Sequence, residues 1–149
     1  MKIYLAADHA GFEHKEVLKK HLTDLGFEIK DFGSTALVPG DDYVPYMMMA
    51  AQAISASPED KAVIFGASGQ GEAITANKFP SVRAAVYYGG QPDIIRLSRE
   101  HNDANILSIG ARFISAEDML VAVDTWLNTP FSKEERHVRR ISELDKISF

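Results

Sequence analysis

The amino-acid sequence predicts a doubly wound α/β domain, in which helices cover both faces of a parallel sheet. Short apolar runs alternate with helical patterns five times along the 149 residues, and the connections between them are short. The runs are apolar throughout, as in strands that are buried on both faces. We therefore expect a single three-layer domain over residues 1–149 that contains a five-stranded parallel sheet.

The individual elements follow from the apolar spacing and from the residues that end each pattern. Strands are expected over residues 3–7, 27–31, 62–65, 83–87 and 105–109. Helices are expected over residues 12–25, 43–55, 92–101 and 115–128, after Gly71, and from about residue 132 onward. Gly26 ends the first helix, and Ser115 caps the fifth with Asp118 at its third position. We expect the strands to follow the order 2-1-3-4-5 in a Rossmann-like sheet.

Composition restricts the classes of function. Hydrophobic residues make up 46% of the chain and charged residues 25%, which is typical of a soluble globular domain with a full core. The formal net charge of −5 leaves no basic surface for nucleic acid or for anionic membranes. The chain has no cysteine, so disulfides, thiolate metal sites and cysteine nucleophiles are excluded.

Targeting and cofactor signals are also missing from the sequence. Met1 leads almost directly into an apolar strand without a signal peptide or a membrane span, which predicts a cytoplasmic protein. No group of His, Asp or Glu residues has the spacing of metal ligands, and there is no nucleotide or flavin motif. We therefore expect neither a metal nor a cofactor.

The sequence is organised around residues 62–78, where an apolar strand breaks into Gly66, Gly69 and Gly71 before a helix begins. Glycines in such a loop bring backbone N–H groups close to a ligand, and the first helical turn adds N–H groups without partners. The loop is therefore suited to hold an anion. Glu72 lies at its mouth, where a carboxylate repels phosphate but is well placed as a base facing developing negative charge. Alternatively, Glu72 only stabilises the helix dipole from the first turn.

Further polar residues follow the first and fifth strands. Asp8 and His9 come directly after the first strand, and Arg112 follows the fifth. Because ligands bind outside the carboxyl ends of parallel strands, we expect these side chains beside the glycine loop. Asp8 would accept hydrogen bonds from sugar hydroxyls, and His9 would donate them. Alternatively, Asp8 simply caps the first helix.

The C-terminal half supplies two more candidate groups. His101 closes the fourth helix and is a candidate proton donor, unless it only gains from the negative end of the helix dipole. Arg136 and Arg140 share one helix face and can bind one phosphate together, although pairing with Glu134 or Glu135 is the usual surface alternative. Together with the glycine loop, these residues suit proton transfer next to a carbonyl group on a phosphorylated sugar.

In the segments that contain these residues, the chain resembles the ribose-5-phosphate isomerase type B family, which includes the galactose-6-phosphate isomerase subunits. Six short segments carry the resemblance, and they are Ala7-Asp8-His9-Ala10-Gly11, Ser68-Gly69-Gln70-Gly71-Glu72, Ala76-Asn77-Lys78, His101-Asn102-Asp103-Ala104-Asn105, Gly110-Ala111-Arg112 and Arg136-His137. Many members use a cysteine base at the end of the third strand. That position is Gly66 here, so the chain resembles the subgroup whose loop supplies a glutamate.

The resemblance implies a role for each part of the site. Glu72 would be the proton-shuttling base and His101 the acid that opens the furanose ring, while the loop would stabilise the enediolate oxygen. The implied substrate-binding residues are Asp8, His9, Ala67, Ser68, Gly69, Gln70, Gly71, Asn102, Arg112, Arg136 and Arg140. Members are dimers or tetramers with the site at a subunit interface, so we expect a homodimer or homotetramer in which a neighbour lends some of these residues.

The resemblance favours an enzyme of the pentose phosphate pathway that interconverts ribose 5-phosphate and ribulose 5-phosphate. An isomerase of galactose 6-phosphate, allose 6-phosphate or a tetrose phosphate is an alternative, because these reactions share one chemistry. A non-catalytic phosphate- or flavin-binding module on the same fold is a more remote alternative, and it would not need Glu72.

Overall fold

The computed structural model describes residues 1–147, in which five strands alternate with helices. The strands are β1 (Lys2–Ala7), β2 (Glu28–Asp31), β3 (Lys61–Gly66), β4 (Ala84–Tyr87) and β5 (Ile106–Gly110). The helices are α1 (Phe12–Asp24), α2 (Tyr43–Ala56), α3 (Gln70–Ala76), α4 (Asp93–Glu100), α5 (Ala116–Asn128) and α6 (Glu135–Asp145). No helix among the described residues is long and apolar enough to cross a membrane.

All five strands are parallel, which confirms the predicted α/β class and the parallel sheet. The predicted order 2-1-3-4-5 is wrong, however, because the order is β2-β1-β3-β5-β4. The physical reason lies in burial. Every residue of β5 is buried, as a central strand requires, whereas most of the short β4 is only half-buried and suits a sheet edge. This order pairs Gly66 at the end of β3 directly with Gly110 at the end of β5.

Helices cover both faces of the sheet, as three layers require. Successive strand residues point to opposite faces, so Leu5 and Val63 pack with α1 and α5, while Ala6 and Ile64 pack with α2 and α3. Trp126 of α5 is fully buried in the first of these two clusters. The predicted cap of α5 is confirmed, because the Asp118 N–H donates to the Ser115 hydroxyl at 3.1 Å.

We call the edge at which the parallel strands end the carboxyl edge, and the edge at which they begin the amino edge. A helix that joins two neighbouring parallel strands must run back from the carboxyl edge to the amino edge. The segment from His101 to Asn105, which follows α4, therefore lies at the amino edge. Its position is fixed by hydrogen bonds at the start of the sheet, where the Asn105 N–H donates to the Arg83 carbonyl and the Asn105 carbonyl accepts from the Ala62 N–H.

Candidate active site

The loop of residues 67–71 lies at the carboxyl edge and forms a group of backbone donors. Gly69 has φ of +79°, a left-handed conformation that favours glycine. The Ser108 hydroxyl donates to the Gly69 carbonyl at 2.7 Å and ties the loop to the neighbouring β5. Within residues 1–147, the N–H groups of Ser68, Gly69 and Gly71 donate to no other protein group. These N–H groups can therefore bind an oxyanion.

The carboxylate of Glu72 lies against the end of β3. A side chain on Gly66 would overlap the Glu72 carboxyl group, so the absence of a Cβ at position 66 makes room for it. Glu72 is only 4% exposed although it belongs to the first turn of a surface helix. A glutamate that served only the helix dipole would point into solvent, so this burial favours a chemical role.

Burial raises the pKa of Glu72, because the ionised form loses solvation. The negative charge of Asp8 acts in the same direction, and together they outweigh the opposing hydrogen bond from the backbone N–H of Glu72 itself. A carboxylate whose pKa is raised is a stronger base once it is ionised. Glu72 therefore combines access to the loop donors with raised basicity.

Asp8 and His9 occupy the turn between β1 and α1 at the same edge. One oxygen of Asp8, Oδ1, accepts from the N–H groups of Ala10 at 3.0 Å and Gly11 at 3.3 Å, so Asp8 does brace the helix entry. Its other oxygen lies 3.9 Å from Nδ1 of His9, beyond hydrogen-bond distance. Asp8 does not cap α1, because the N-cap residue is Gly11 and no side chain accepts from the first helical N–H groups. The turn before the helix uses one oxygen of Asp8 and leaves the other for a ligand.

Two further residues at this edge were not predicted from the sequence. Asp41 accepts hydrogen bonds from the backbone N–H of His9 at 2.7 Å and from its ring Nδ1 at 3.0 Å. The phenol of Tyr43, the first residue of α2, closes over Gly71 so tightly that a Cβ on Gly71 would collide with it. Both residues come from the long connection before α2 or from its first turn, where no periodic pattern indicates a neighbour.

Among the described residues, Asp8, His9 and Asp41 are also the one group of three or more His, Asp or Glu side chains whose candidate ligand atoms all lie within 4.8 Å of one another. Their hydrogen bonds account for this spacing. Oδ1 of Asp8 accepts two backbone N–H groups and Oδ1 of Asp41 accepts both His9 donors. The group therefore forms a braced turn, and we assign no metal to it.

Arg112 completes the carboxyl edge. It follows β5, and its backbone N–H donates to the Ala67 carbonyl at 3.1 Å, which joins its segment to the loop. Its side chain is exposed. Five of the predicted groups, Asp8, His9, the 67–71 loop, Glu72 and Arg112, are thus brought together at one edge.

The other predicted residues lie at the amino edge. His101 is half-buried and Asn102 is exposed, and the following Asp103 has φ of +45°, an uncommon value for a residue other than glycine. Two arginines hold Asp103 in place. Arg99 donates to its carboxylate at 2.7 Å, and Arg83 donates to it at 3.2 Å. The turn that presents His101 and Asn102 is therefore rigidly fixed.

A second histidine, which was not among the residues predicted for the site, packs against His101 with its ring tilted by 35°. The ring centroids of His101 and His137 lie 4.3 Å apart, and His137 is only 2% exposed. Burial lowers the pKa of His137, and the charges of His101 and Arg136 lower it further. The Ser132 hydroxyl lies 2.9 Å from Nδ1 of His137 and fixes its ring. A neutral His137 thus supports one face of the His101 ring.

Arg136 and Arg140, two of the three arginines of α6, are exposed at the amino edge, where the neighbouring His137 contacts His101. Arg136 pairs with Glu134 at 3.0 Å, as the surface alternative anticipated, but both side chains are more than half exposed. Such a pair contributes little to stability and can be exchanged for a phosphate. No carboxylate among residues 1–147 lies within salt-bridge distance of Arg140.

The two groups are separated by the length of the sheet. Ala62 pairs with Ile106 at the amino edge, and Gly66 pairs with Gly110 at the carboxyl edge. At about 3.3 Å per residue, this step of four residues spans about 13 Å. Since Glu72 contacts Gly66 while His101 precedes Ile106, one chain does not bring Glu72 and His101 to the same sugar.

The surface cavities follow the same division. A cleft of about 450 Å³ opens at the amino edge, and its lining includes Asn102 and Leu144. A smaller hollow of about 210 Å³ adjoins the loop at the carboxyl edge, where Ser68 and Gln70 meet the aromatic side chains of Tyr88 and Phe113. Asn102 lies in the lining of the first cavity and Ser68 and Gln70 in that of the second, whereas neither lining includes Glu72 or His101.

Comparison with known proteins agrees with this architecture. The family described as Ribose/Galactose Isomerase matches residues 3–144. Ribose-5-phosphate isomerase B of Mycobacterium tuberculosis is 40% identical over 144 residues, which are 97% of this chain and 88% of the relative. The Escherichia coli protein of the same name is 34% identical over 146 residues, 98% of this chain and 95% of the relative.

Solved structures give the same result. A ribose-5-phosphate isomerase B from Mycoplasma genitalium, crystallised with ribulose 5-phosphate, superposes with a TM-score of 0.92 at 28% identity, covering 97% of this chain and 94% of that one. The enzyme from Thermotoga maritima gives a TM-score of 0.90 at 40% identity and covers 98% of both chains. The family expected from the six sequence segments is confirmed, and the chain belongs to the Ribose/Galactose Isomerase family.

Proposed function

We propose that this chain is a ribose-5-phosphate isomerase that converts ribose 5-phosphate into ribulose 5-phosphate and back through an enediolate. The observation that carries the proposal is the buried Glu72 carboxylate, which lies beside the backbone donors of the 67–71 loop. Proton abstraction next to a carbonyl group needs a base and an oxyanion site side by side. The relatives named ribose-5-phosphate isomerase B support the choice of substrate.

The proposed proton transfer starts from the open-chain sugar. Glu72 removes the proton from C2, and the electron pair forms a C1–C2 double bond while negative charge develops on O1. The N–H groups of the 67–71 loop stabilise this charge. A proton passes from O2 to O1, and Glu72 returns its proton to C1, which leaves the C2 carbonyl of the ketose. The reaction is redox-neutral, and this route calls on no cofactor.

His101 is the proposed acid that opens the furanose ring. Ring opening breaks the bond between C1 and the ring oxygen. The ring oxygen takes a proton, which an imidazole supplies near neutral pH, and the C1 hydroxyl releases its proton to water and becomes the aldehyde oxygen. The neighbouring His137, whose pKa is lowered, packs against the His101 ring without adding a second positive charge beside it. The open aldehyde that results is the substrate for Glu72.

The proposed site joins two copies of the chain. Because the sheet separates Glu72 from His101 within one copy, the carboxyl edge of one copy has to meet the amino edge of another, and twofold symmetry makes two such sites in a homodimer. Exposed apolar side chains at both edges support this contact. Phe113 is 65% exposed beside the loop, and Leu144 of α6 is 49% exposed at the other edge.

In this arrangement the phosphate meets Arg136 and Arg140 of the second copy together with Arg112 of the first, and His9 contacts the sugar. Guanidinium groups form paired, charge-assisted hydrogen bonds to phosphate oxygens. Asp8, which keeps one oxygen free of the helix turn, accepts from the sugar hydroxyls. Asn102 approaches from the same side as His101.

A substrate panel tests the proposal. Purified protein is assayed with ribose 5-phosphate, ribulose 5-phosphate, allose 6-phosphate, galactose 6-phosphate and a tetrose phosphate, with Glu72→Gln as the control for contaminating isomerase. We expect the highest kcat/KM with the two pentose phosphates. A preference for a hexose or tetrose phosphate would reassign the substrate. Binding of sugar phosphates without turnover would indicate a non-catalytic module, in which the burial of Glu72 has no explanation. The cytoplasmic location stays a prediction.

A further inference from the structure

Asp41 makes two hydrogen bonds to His9 that the function described above does not use. It lies in the connection between β2 and α2, far from His9 in sequence. One oxygen, Oδ1, accepts from the backbone N–H of His9 at 2.7 Å and lies 3.0 Å from its ring Nδ1. The Asp41 side chain is only 10% exposed, whereas that of His9 is 33% exposed. The carboxylate is thus buried behind a ring that faces the site.

The hydrogen-bond chemistry fixes the direction of the ring contact. Burial alone would raise the pKa of Asp41, but hydrogen bonds from the His9 backbone and from the His9 ring outweigh it and hold the pKa below its usual value. Asp41 is therefore ionised at neutral pH. Because an ionised carboxylate can only accept, Nδ1 of His9 must carry the hydrogen. The nitrogen that remains for a ligand is Nε2.

The other nearby carboxylate does not share this task. Oδ1 of Asp8 accepts from two backbone N–H groups, and its second oxygen lies 3.9 Å from Nδ1, too far for a hydrogen bond. The neighbouring Asp42 is exposed, and its side chain caps no N–H group of α2. Among residues 1–147, Asp41 is the carboxylate that holds the His9 ring.

We infer that Asp41 is a positioning residue that acts through His9, locking its ring in the Nδ1–H form so that the unprotonated Nε2 faces the substrate as an acceptor for a sugar hydroxyl. This inference rests on the proposed function, in which His9 binds the substrate. A buried carboxylate that orients an imidazole in this way sets which ring nitrogen works and removes the freedom of the ring to turn. Substrate affinity, more than the proton transfer at Glu72, should depend on it.

Two variants separate a positioning role from a merely structural one. Asp41→Ala removes the acceptor. Asp41→Asn keeps an acceptor oxygen of the same size without the charge. Asp42→Ala is the matched control, since it removes the adjacent carboxylate that does not contact His9. The tautomer of His9 is read by long-range ¹H–¹⁵N NMR at about pH 9, where an imidazole is neutral, with the signal assigned by His9→Gln.

We expect Nδ1–H in the wild-type protein, in Asp41→Asn and in Asp42→Ala. In Asp41→Ala the ring should return to the Nε2–H form that histidine prefers in water. The KM for ribulose 5-phosphate should rise about tenfold or more in Asp41→Ala with kcat changed less than about threefold, and Asp41→Asn should recover most of the loss. If Asp41→Ala does not fold, the Nδ1–H form of the wild type and of Asp41→Asn still decides the ring contact.

Three outcomes would overturn the inference: an Nε2–H tautomer in the wild type, the same tautomer in wild type and Asp41→Ala, or an unchanged KM in Asp41→Ala. Failure of the proposed function looks different. In that case the wild-type protein turns over none of the sugar phosphates, while the NMR experiment still reports whether Asp41 sets the tautomer of His9.

Discussion

Replacing Glu72 with glutamine removes the proposed base while preserving its volume. The side chain is 4% exposed, so no bulk water takes its place as a base. Asp8 is the other carboxylate that influences this position, but one of its oxygens is held by the turn before α1. Loss of a positioned general base lowers the rate by about 10²–10⁴. Because neither bulk water nor Asp8 can replace Glu72 as the base, we expect a loss in the upper part of that range. The corresponding barrier increase is about 4–5.5 kcal/mol.

The assay is steady-state isomerisation in both directions, with KM and kcat determined separately. Glutamine keeps the packing against Gly66, so we expect KM within about threefold of wild type while kcat falls by 10³ or more. A kcat within about tenfold of wild type would refute the assignment of Glu72 as the base.

The pH dependence gives a second readout of the same residue. Burial raises the pKa of Glu72 in the free protein, so kcat/KM of the wild type should fall on the acid side with a midpoint above the usual 4.5. Stability should respond in the opposite sense. A raised pKa means that folding favours the protonated form, so the contribution of Glu72 is fully favourable below pH 4.5 and is lost as the pH rises through the raised value. Glu72→Gln should therefore melt above the wild type at pH 8, and this difference should vanish below pH 4.5.

The remaining predictions concern the neighbours of Glu72 and the amino edge. Gly66→Ala should lower kcat by at least tenfold with little loss of thermal stability, because its methyl group displaces only the mobile end of Glu72; a normal kcat in this variant would contradict the contact. Arg136→Ala or Arg140→Ala should raise KM by at least about tenfold for the sugar phosphates and barely affect free ribose, and an unchanged KM in both would place the phosphate elsewhere. His101→Asn should strongly slow consumption of ribose 5-phosphate, yet exchange the C1 proton of ribulose 5-phosphate in D₂O within about tenfold of wild type. If wild-type exchange is clear in the proton NMR spectrum and the exchange of this variant falls as far as its isomerisation, the ring-opening role is wrong.

The elements themselves could be predicted because local patterns determine them. An unbroken apolar run such as residues 62–65 favours a strand buried on both faces, and Gly26 with its positive φ ends α1 as expected. The order of the strands depends on how elements distant in the sequence pack together, so local patterns do not determine it. Ile106, Leu107 and Ile109 offer more apolar bulk than Ala84 and Ala85, which is the signal that places β5 inside the sheet, but chain order alone gave the wrong neighbour.

The site was predictable only in part. Glu72 stood out as a candidate because a carboxylate at the mouth of a glycine loop repels the phosphate that the loop suits, whereas Asp41 and His137 make contacts across loops and edges that no local pattern indicates. The separation of Glu72 from His101 follows from the direction of α4, since a helix between parallel strands ends at the amino edge. The sequence reasoning expected a neighbouring chain to contribute, but left open which residues it supplies.

Complementation between two inactive variants tests this division between two copies most directly. In a mixed dimer of Glu72→Gln with His101→Asn, one site combines both defects, while the other joins an intact Glu72 to an intact His101. Refolding the two chains together in equal amounts makes half of the dimers mixed, so about one quarter of the wild-type activity per chain should return. Glu72→Gln refolded with Gly66→Ala is the matched control, because both defects lie at the carboxyl edge and no mixed site is intact. Recovery near one quarter in the first mixture and none above the parent variants in the control is the predicted result; a first mixture no more active than its parents would contradict a site shared between two copies.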